Sequence, residues 1–181
     1  MKLYIFRHGQ SDYNQANKIS KPDAVLTGEG IAQAEKLRDE LAPVKLPVIY
    51  SSPYPRALAT AKIVAEAHQT PIEIIEDLHE HNLGETEGVE EIREILEQKY
   101  PDILPILDIG DKASDELKNY GAESKHEARE RFMGALKKIK EISPYDVAGV
   151  STHGHVMRNL YHHLYGKDKI FKNCDYFILD I

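Results

Sequence analysis

Leu3-Tyr4-Ile5-Phe6, followed at once by Arg7-His8-Gly9-Gln10-Ser11, decides how this chain of 181 residues is read. An apolar run of strand length ends in a turn that delivers an arginine and a histidine side by side. Gly9 leaves room for backbone or ligand to come close where a side chain would block it. In an open α/β sheet, ligands gather at the carboxyl ends of the strands. A histidine there, flanked by a guanidinium, is a candidate nucleophile toward phosphorus. Alone, the pentapeptide also fits a surface ion-pairing turn, and the remainder of the chain decides between the two.

Five short apolar or β-branched runs punctuate the sequence, at 2–6, 47–51, 72–76, 146–151 and 174–180. Helical periodicity fills the gaps. Ile31, Ala34, Leu37 and Leu41 share one face, as do Leu58, Ala61 and Ala65, and then Ala128, Phe132, Ala135, Leu136, Ile139 and Ile142. Ser124 with Glu127 makes a capping box for the last of these helices. Strands alternating with helices predict a three-layer α/β/α sandwich, with a mainly parallel central sheet and helices on both faces. The last run, Asp175 to Ile181, follows a short loop after a helix and is expected to be an edge strand of either direction. Residues 84–122 break the rhythm, with one helix expected near Val89–Tyr100 and then Pro101, Pro105, Gly110 and Gly121. They are expected to form a short insertion over the active-site end that shapes a pocket. With no repeat or linker, residues 1–181 are expected to be one domain.

Composition narrows the function. A formal net charge of −7 disfavours a nucleic-acid binder, so any anion site is a local positive cluster set against the global field. No run has the length of a membrane span, and with a strand from Lys2 no signal peptide is expected. Cys174 is the sole cysteine, which excludes an intramolecular disulfide and makes the cytoplasm the expected location.

The ends of the first four strands carry the chemistry. They bring Arg7-His8, then Ser52-Pro53-Tyr54-Pro55-Arg56, then Asp77-Leu78-His79-Glu80, then Thr152-His153-Gly154-His155. Parallel strands carry these ends to one edge of the sheet, where helix N-termini add N–H donors. Phosphoryl transfer needs fixed cations around the equatorial oxygens, and an arginine fork matches two of them at once. Two arginines and a second histidine leave no metal required, and no cofactor is expected.

These residues resemble the histidine phosphatase superfamily, also called the phosphoglycerate mutase-like family. Six landmarks occur in order: Arg7-His8-Gly9-Gln10-Ser11 with Asn14; Leu26-Thr27 with Gly30; Ser51-Ser52-Pro53 with Arg56-Ala57 and Thr60-Ala61; Leu78 and Glu80 with Gly84 and Glu87-Gly88; Gly121 and Glu123-Ser124 with Arg131; and Ser151 and His153-Gly154 with Val156 and Arg158. The resemblance implies that His8 is the nucleophile and forms a phosphohistidine, with Arg7, Arg56 and His153 around the phosphoryl group. It makes Glu80 the proton donor to the leaving oxygen and then the base for water. Asn14, Gln10, Ser20 and the backbone N–H of Gly154 become expected substrate contacts.

Some positions depart from the family pattern. Arg93 is the only arginine between 84 and 125, where mutases pair two to grip a carboxylate; Lys21 follows Ser20 where mutases have glycine. His155 replaces a small residue, and His79 adjoins the expected acid. His79, His81, His153 and His155 invite a metal reading, but alternate residues of an extended chain point to opposite sides, so none of them is expected to ligate one. His162 and His163 are expected at a helix boundary, Tyr13, Tyr54 and Tyr120 near the pocket or in packing, and Glu85, Glu87, Glu90, Glu91 and Glu94 on a solvated helix face. The expected activity is hydrolysis of a small phosphorylated metabolite. The alternatives are phosphoglycerate mutase-type transfer and a non-catalytic phosphate-binding or signalling module.

Overall fold

The central strands meet in the order that brings their reactive ends together. The computed structural model describes residues 1–89, 98–99 and 120–181. The helix expected near Val89–Tyr100 lies almost wholly outside them, as do Arg93, Glu90, Glu91, Glu94 and most of the expected insertion. Strands β1 (Lys2–Arg7), β2 (Ile49–Ser51), β3 (Ile72–Ile74), β4 (Val147–Thr152) and β5 (Tyr176–Asp180) form one sheet in the order β3-β2-β4-β1-β5. The first four are parallel, and β5 closes the β1 edge antiparallel. In register, Arg7 lies beside Thr152 and Ser51 beside Ser151, so the Arg7-His8, Ser52 and His153 ends emerge next to one another.

Side chains that alternate along β1 feed two apolar layers. Leu3 and Ile5 pack with Phe132, Leu136 and Ile139 of α4 (Lys125–Ile142) and with Val156, Met157 and Leu160 of α5 (Gly154–Tyr165). Phe6, on the opposite face, packs with Leu37 and Leu41 of α2 (Gly28–Leu41) and with Ala61 and Val64 of α3 (Pro55–Glu66). A short helix α1 (Asp12–Gln15) follows the β1 turn. This is the three-layer sandwich, and truncating a fully buried side chain such as Phe132 in either layer costs about 3–5 kcal/mol.

Helix faces follow backbone approach as well as hydropathy. The buried stripe of α2 runs through Gly30, Ala34, Leu37 and Leu41, whereas Ile31, expected on that face, is 44% exposed. Gly30 takes the inward position because a Cβ there would lie 2.1 Å from the Gln10 carbonyl oxygen, and a Cβ on Gly9 would lie 2.2 Å from the Gly30 oxygen. Two glycines thus let the β1 turn and the start of α2 touch. Ile142 is also exposed, because it ends α4 beyond the buried stripe. The Ser124–Glu127 capping box is present at the start of α4, with both reciprocal hydrogen bonds.

Candidate active site

At the carboxyl edge of β1 the chain turns sharply, and the turn is held from three sides. The Gly9 N–H donates to Thr60 Oγ1 of α3 (3.1 Å), and the His8 N–H donates to the Thr152 carbonyl of β4 (3.0 Å). The His8 carbonyl accepts from the Cys174 N–H (3.3 Å) and from Asn173 Nδ2 (3.1 Å). His8 is buried, and its Nδ1 lies 2.6 Å from the Gly9 carbonyl oxygen. A carbonyl only accepts, so Nδ1 carries the proton and Nε2 holds the lone pair. That lone pair accepts from Arg56 Nε at 3.1 Å. Burial, with the Arg56 and Arg7 charges, holds the His8 imidazole well below its ordinary value. It is therefore neutral with Nε2 available, the state a nucleophile needs.

Arg56 reaches the site from the first turn of α3, where Pro55 starts the helix. Its guanidinium is buried, donates to the Lys21 carbonyl at 2.8 Å, and lies over the Tyr54 ring. No carboxylate among the described residues comes within ion-pair distance of it. Burial pulls it below its usual value, so an anion at the site is strongly favoured. Arg7 donates from Nη1 to the Phe171 carbonyl at 2.6 Å. It also packs against Gly154, where a Cβ would stand 3.1 Å from Arg7 Nε. A side chain at 154 would push against the guanidinium.

Glu80 is the carboxylate of the cluster. Oε1 accepts from the N–H groups of His81 (2.9 Å) and Val156 (3.0 Å), and Oε2 from that of His155 (3.1 Å). Two of these three donors belong to the first turn of α5, a position that favours negative charge. Burial pushes Glu80 up, but His155, the donors and Arg56 outweigh it and hold the group below the usual carboxylate range. The acid-bearing loop is itself clamped. Arg131 of α4 donates to the carbonyls of Asp77 (2.8 Å), His79 (3.0 Å) and Glu80 (3.2 Å), while a fork of two bonds joins it to Glu123.

Arg7, His8, Asn14, Ser20, Arg56, Glu80 and Gly154 line one cavity of about 280 Å3, together with Lys18, Ile19, His81, Leu83, His155, Arg158, Ile170 and Phe171. Asn14 is fixed by the capping box with Ser11 and by Asn173 Nδ2. His153 stands beside His8, ring centroids 5.2 Å apart, and is fully buried. Gln10 is not brought to the cavity: its Oε1 accepts from Thr27 Oγ1 at 2.9 Å, which ties the turn to the start of α2. The four histidines separate. His79 donates to the Glu80 carbonyl and stacks on Tyr54, His81 donates to the Glu123 carbonyl, and His155 Nδ1 lies 3.8 Å from Glu80 Oε2. Among the described residues, no three His, Cys, Asp or Glu side chains are grouped to hold a metal. Tyr13 lines a separate shallow cleft with Lys18 and Lys21.

Sequence reading missed the contributions of Asn173, Phe171 and Arg131. Asn173 and Phe171 sit in an aperiodic loop, and only their contacts with His8 and Arg7 mark them. Arg131 stood among the landmarks without a role.

Comparison with known proteins agrees with this geometry. The family model of the histidine phosphatase superfamily, branch 1, matches residues 3–175. An uncharacterized phosphatase of Bacillus subtilis, PhoE, is 28% identical over 166 residues, covering 91% of this chain and 77% of that protein. Phosphoserine phosphatase 1 of Hydrogenobacter thermophilus is 31% identical over 176 residues, covering 93% and 78%. Phosphoglycerate mutase-like names also occur among the relatives. The solved structure of Bacillus stearothermophilus YhfR superposes with a TM-score of 0.85 at 25% identity, covering 99% of this chain and 91% of that one. The chain belongs to the histidine phosphatase superfamily and is a phosphatase of that type.

Proposed function

We propose that the chain is a metal-independent hydrolase of small phosphomonoesters working through a phosphohistidine on His8. The observation that carries this reading is the neutral His8 ring, whose Nε2 lone pair meets Arg56 at 3.1 Å inside a buried cationic cluster. Substrate phosphate enters between Arg7 and Arg56. Nε2 attacks phosphorus, the P–N bond forms, and the P–O bond to the leaving alcohol breaks.

Charge on the equatorial oxygens is met by guanidinium and N–H donors already in place, which is the larger part of phosphoryl-transfer catalysis. Glu80 is ionised in the free enzyme, and an arriving phosphate dianion raises its proton affinity. The carboxylate takes up a proton from solvent as the substrate binds and gives it to the leaving oxygen. A water takes the place of the alcohol, loses a proton to Glu80 and attacks phosphorus, and the P–N bond breaks to release phosphate. A cavity of about 280 Å3 lies at the small end of ligand sites and suits a small metabolite.

The test is phosphate release from an aryl phosphate with and without EDTA, in wild type and His8→Ala. Activity that survives EDTA and vanishes in the variant is expected. Activity retained by His8→Ala, or abolished by EDTA, overturns the reading.

A further inference from the structure

Behind the nucleophile lies a buried pair that the mechanism above leaves unused. His153 Nε2 and Ser52 Oγ are 2.8 Å apart, and both residues are fully buried. Ser52 leads into α3 from β2, His153 leads into α5 from β4, and the two strands are neighbours in the sheet. His153 Nδ1, by contrast, is buried with no hydrogen-bond partner among the described residues. Its ring lies edge-on to that of His8.

The hydroxyl proton decides which nitrogen of His153 carries hydrogen. One lone pair of Ser52 Oγ already accepts the Tyr54 N–H at 3.3 Å. The hydroxyl has one proton to give, and the sole acceptor in reach among the described residues is His153 Nε2. If Nε2 instead carried hydrogen and donated to Ser52, the serine proton and the Nδ1 lone pair would both be buried without partners. With the serine proton on Nε2, a single donor is left over, Nδ1–H. A buried polar group left without a partner is destabilising, so the arrangement with one orphan prevails over the arrangement with two. Burial and the Arg56 charge keep the ring neutral, so only one nitrogen is protonated.

We infer that Ser52 is a positioning residue that fixes His153 as its Nδ1–H tautomer, so that Nδ1–H is a ready donor to an oxygen of the bound phosphoryl group. The opposite tautomer would leave Nδ1 with a lone pair and nothing to donate. The inference rests on the phosphoryl site proposed above and extends to a residue that does not touch substrate.

Long-range proton–nitrogen NMR of the histidine side chains in the whole protein reads the tautomer directly, with His153→Gln giving the assignment. The expected result is Nδ1–H on His153, with the Nδ1 signal shifting on addition of inorganic phosphate. Ser52→Ala should weaken inorganic phosphate binding and kcat/KM by about ten-fold, the loss of one hydrogen bond to a charged group. Ser52→Thr, which keeps the hydroxyl, should restore both. An Nε2–H signal in the wild type overturns the inference, as does Ser52→Ala with unchanged phosphate affinity. The wild-type spectrum stands even if Ser52→Ala fails to fold. If no phosphate is ever found on His8 while phosphate still shifts an Nδ1–H signal, the hydrolase reading fails and the tautomer assignment holds.

Discussion

Glu80 and His8 divide the chemistry because their surroundings push them to opposite uses. His8 is held neutral by burial and two guanidiniums, and Glu80 is held ionised in the free enzyme by three N–H donors and neighbouring positive charge, against its burial. Glu80→Gln keeps the shape and removes the proton. Turnover of alkyl phosphates, which have poor leaving groups, should fall by about 10²–10⁴. An aryl phosphate should still give a burst of one leaving group per enzyme before stalling, since the water then lacks its base. Stopped-flow measurement of the burst checks this, and steady alkyl phosphate turnover at the wild-type rate would contradict it. The residues of the cluster were legible because reactive side chains stood at the ends of apolar runs. The bond between Gln10 and Thr27 was not legible, because the two lie far apart along the chain and nothing local signals that their side chains meet.

Elements are joined at the site by contacts that local propensity does not specify. Arg131 holds three carbonyls of the loop that carries Glu80 and is itself oriented by Glu123. Lysine cannot reproduce that fork. Arg131→Lys should lower kcat by about ten- to hundred-fold through misplacement of the acid, while the inhibition constant of inorganic phosphate stays near wild type. A raised inhibition constant with unchanged kcat would assign Arg131 to phosphate binding instead. The Gly9–Gly30 contact makes a second prediction. Gly30→Ala drives a methyl against the Gln10 carbonyl and should cost about 1–3 kcal/mol or more, read by urea unfolding. Helix positions were legible from periodicity. The inward face of α2 was not, because the residue pressed against the turn is a glycine with no hydropathy to declare it.

Across the whole molecule, burial of neutral imidazoles sets how stability follows pH. His8, His81 and His153 are all held below their ordinary value of 6.5. The unfolded chain therefore binds more protons than the folded one below that pH. Their contribution is fully present above 6.5 and is lost as pH falls through the window between 6.5 and the lowered folded values. Each adds a slope of about 1.4 kcal/mol per pH unit in that window. Glu80 and Glu123, also lowered, act in the same sense further down. In phosphate-free buffer the urea midpoint should drop steadily from pH 7 to pH 5, and a flat profile would contradict the buried neutral state. At this scale the parallel order of four strands followed from the alternation of strands and helices. The direction of β5 did not, because the loop before it permits either pairing and is resolved by the contacts of 173–175 with the β1 turn.

The most direct measurement is to mix enzyme with an aryl phosphate, quench within milliseconds in alkaline denaturant, where phosphorus–nitrogen bonds survive, and map the phosphate by mass spectrometry. One phosphate is expected on His8, absent in His8→Ala and accumulating in Glu80→Gln. Turnover with no phosphate on His8, or with the label on another residue, would contradict it.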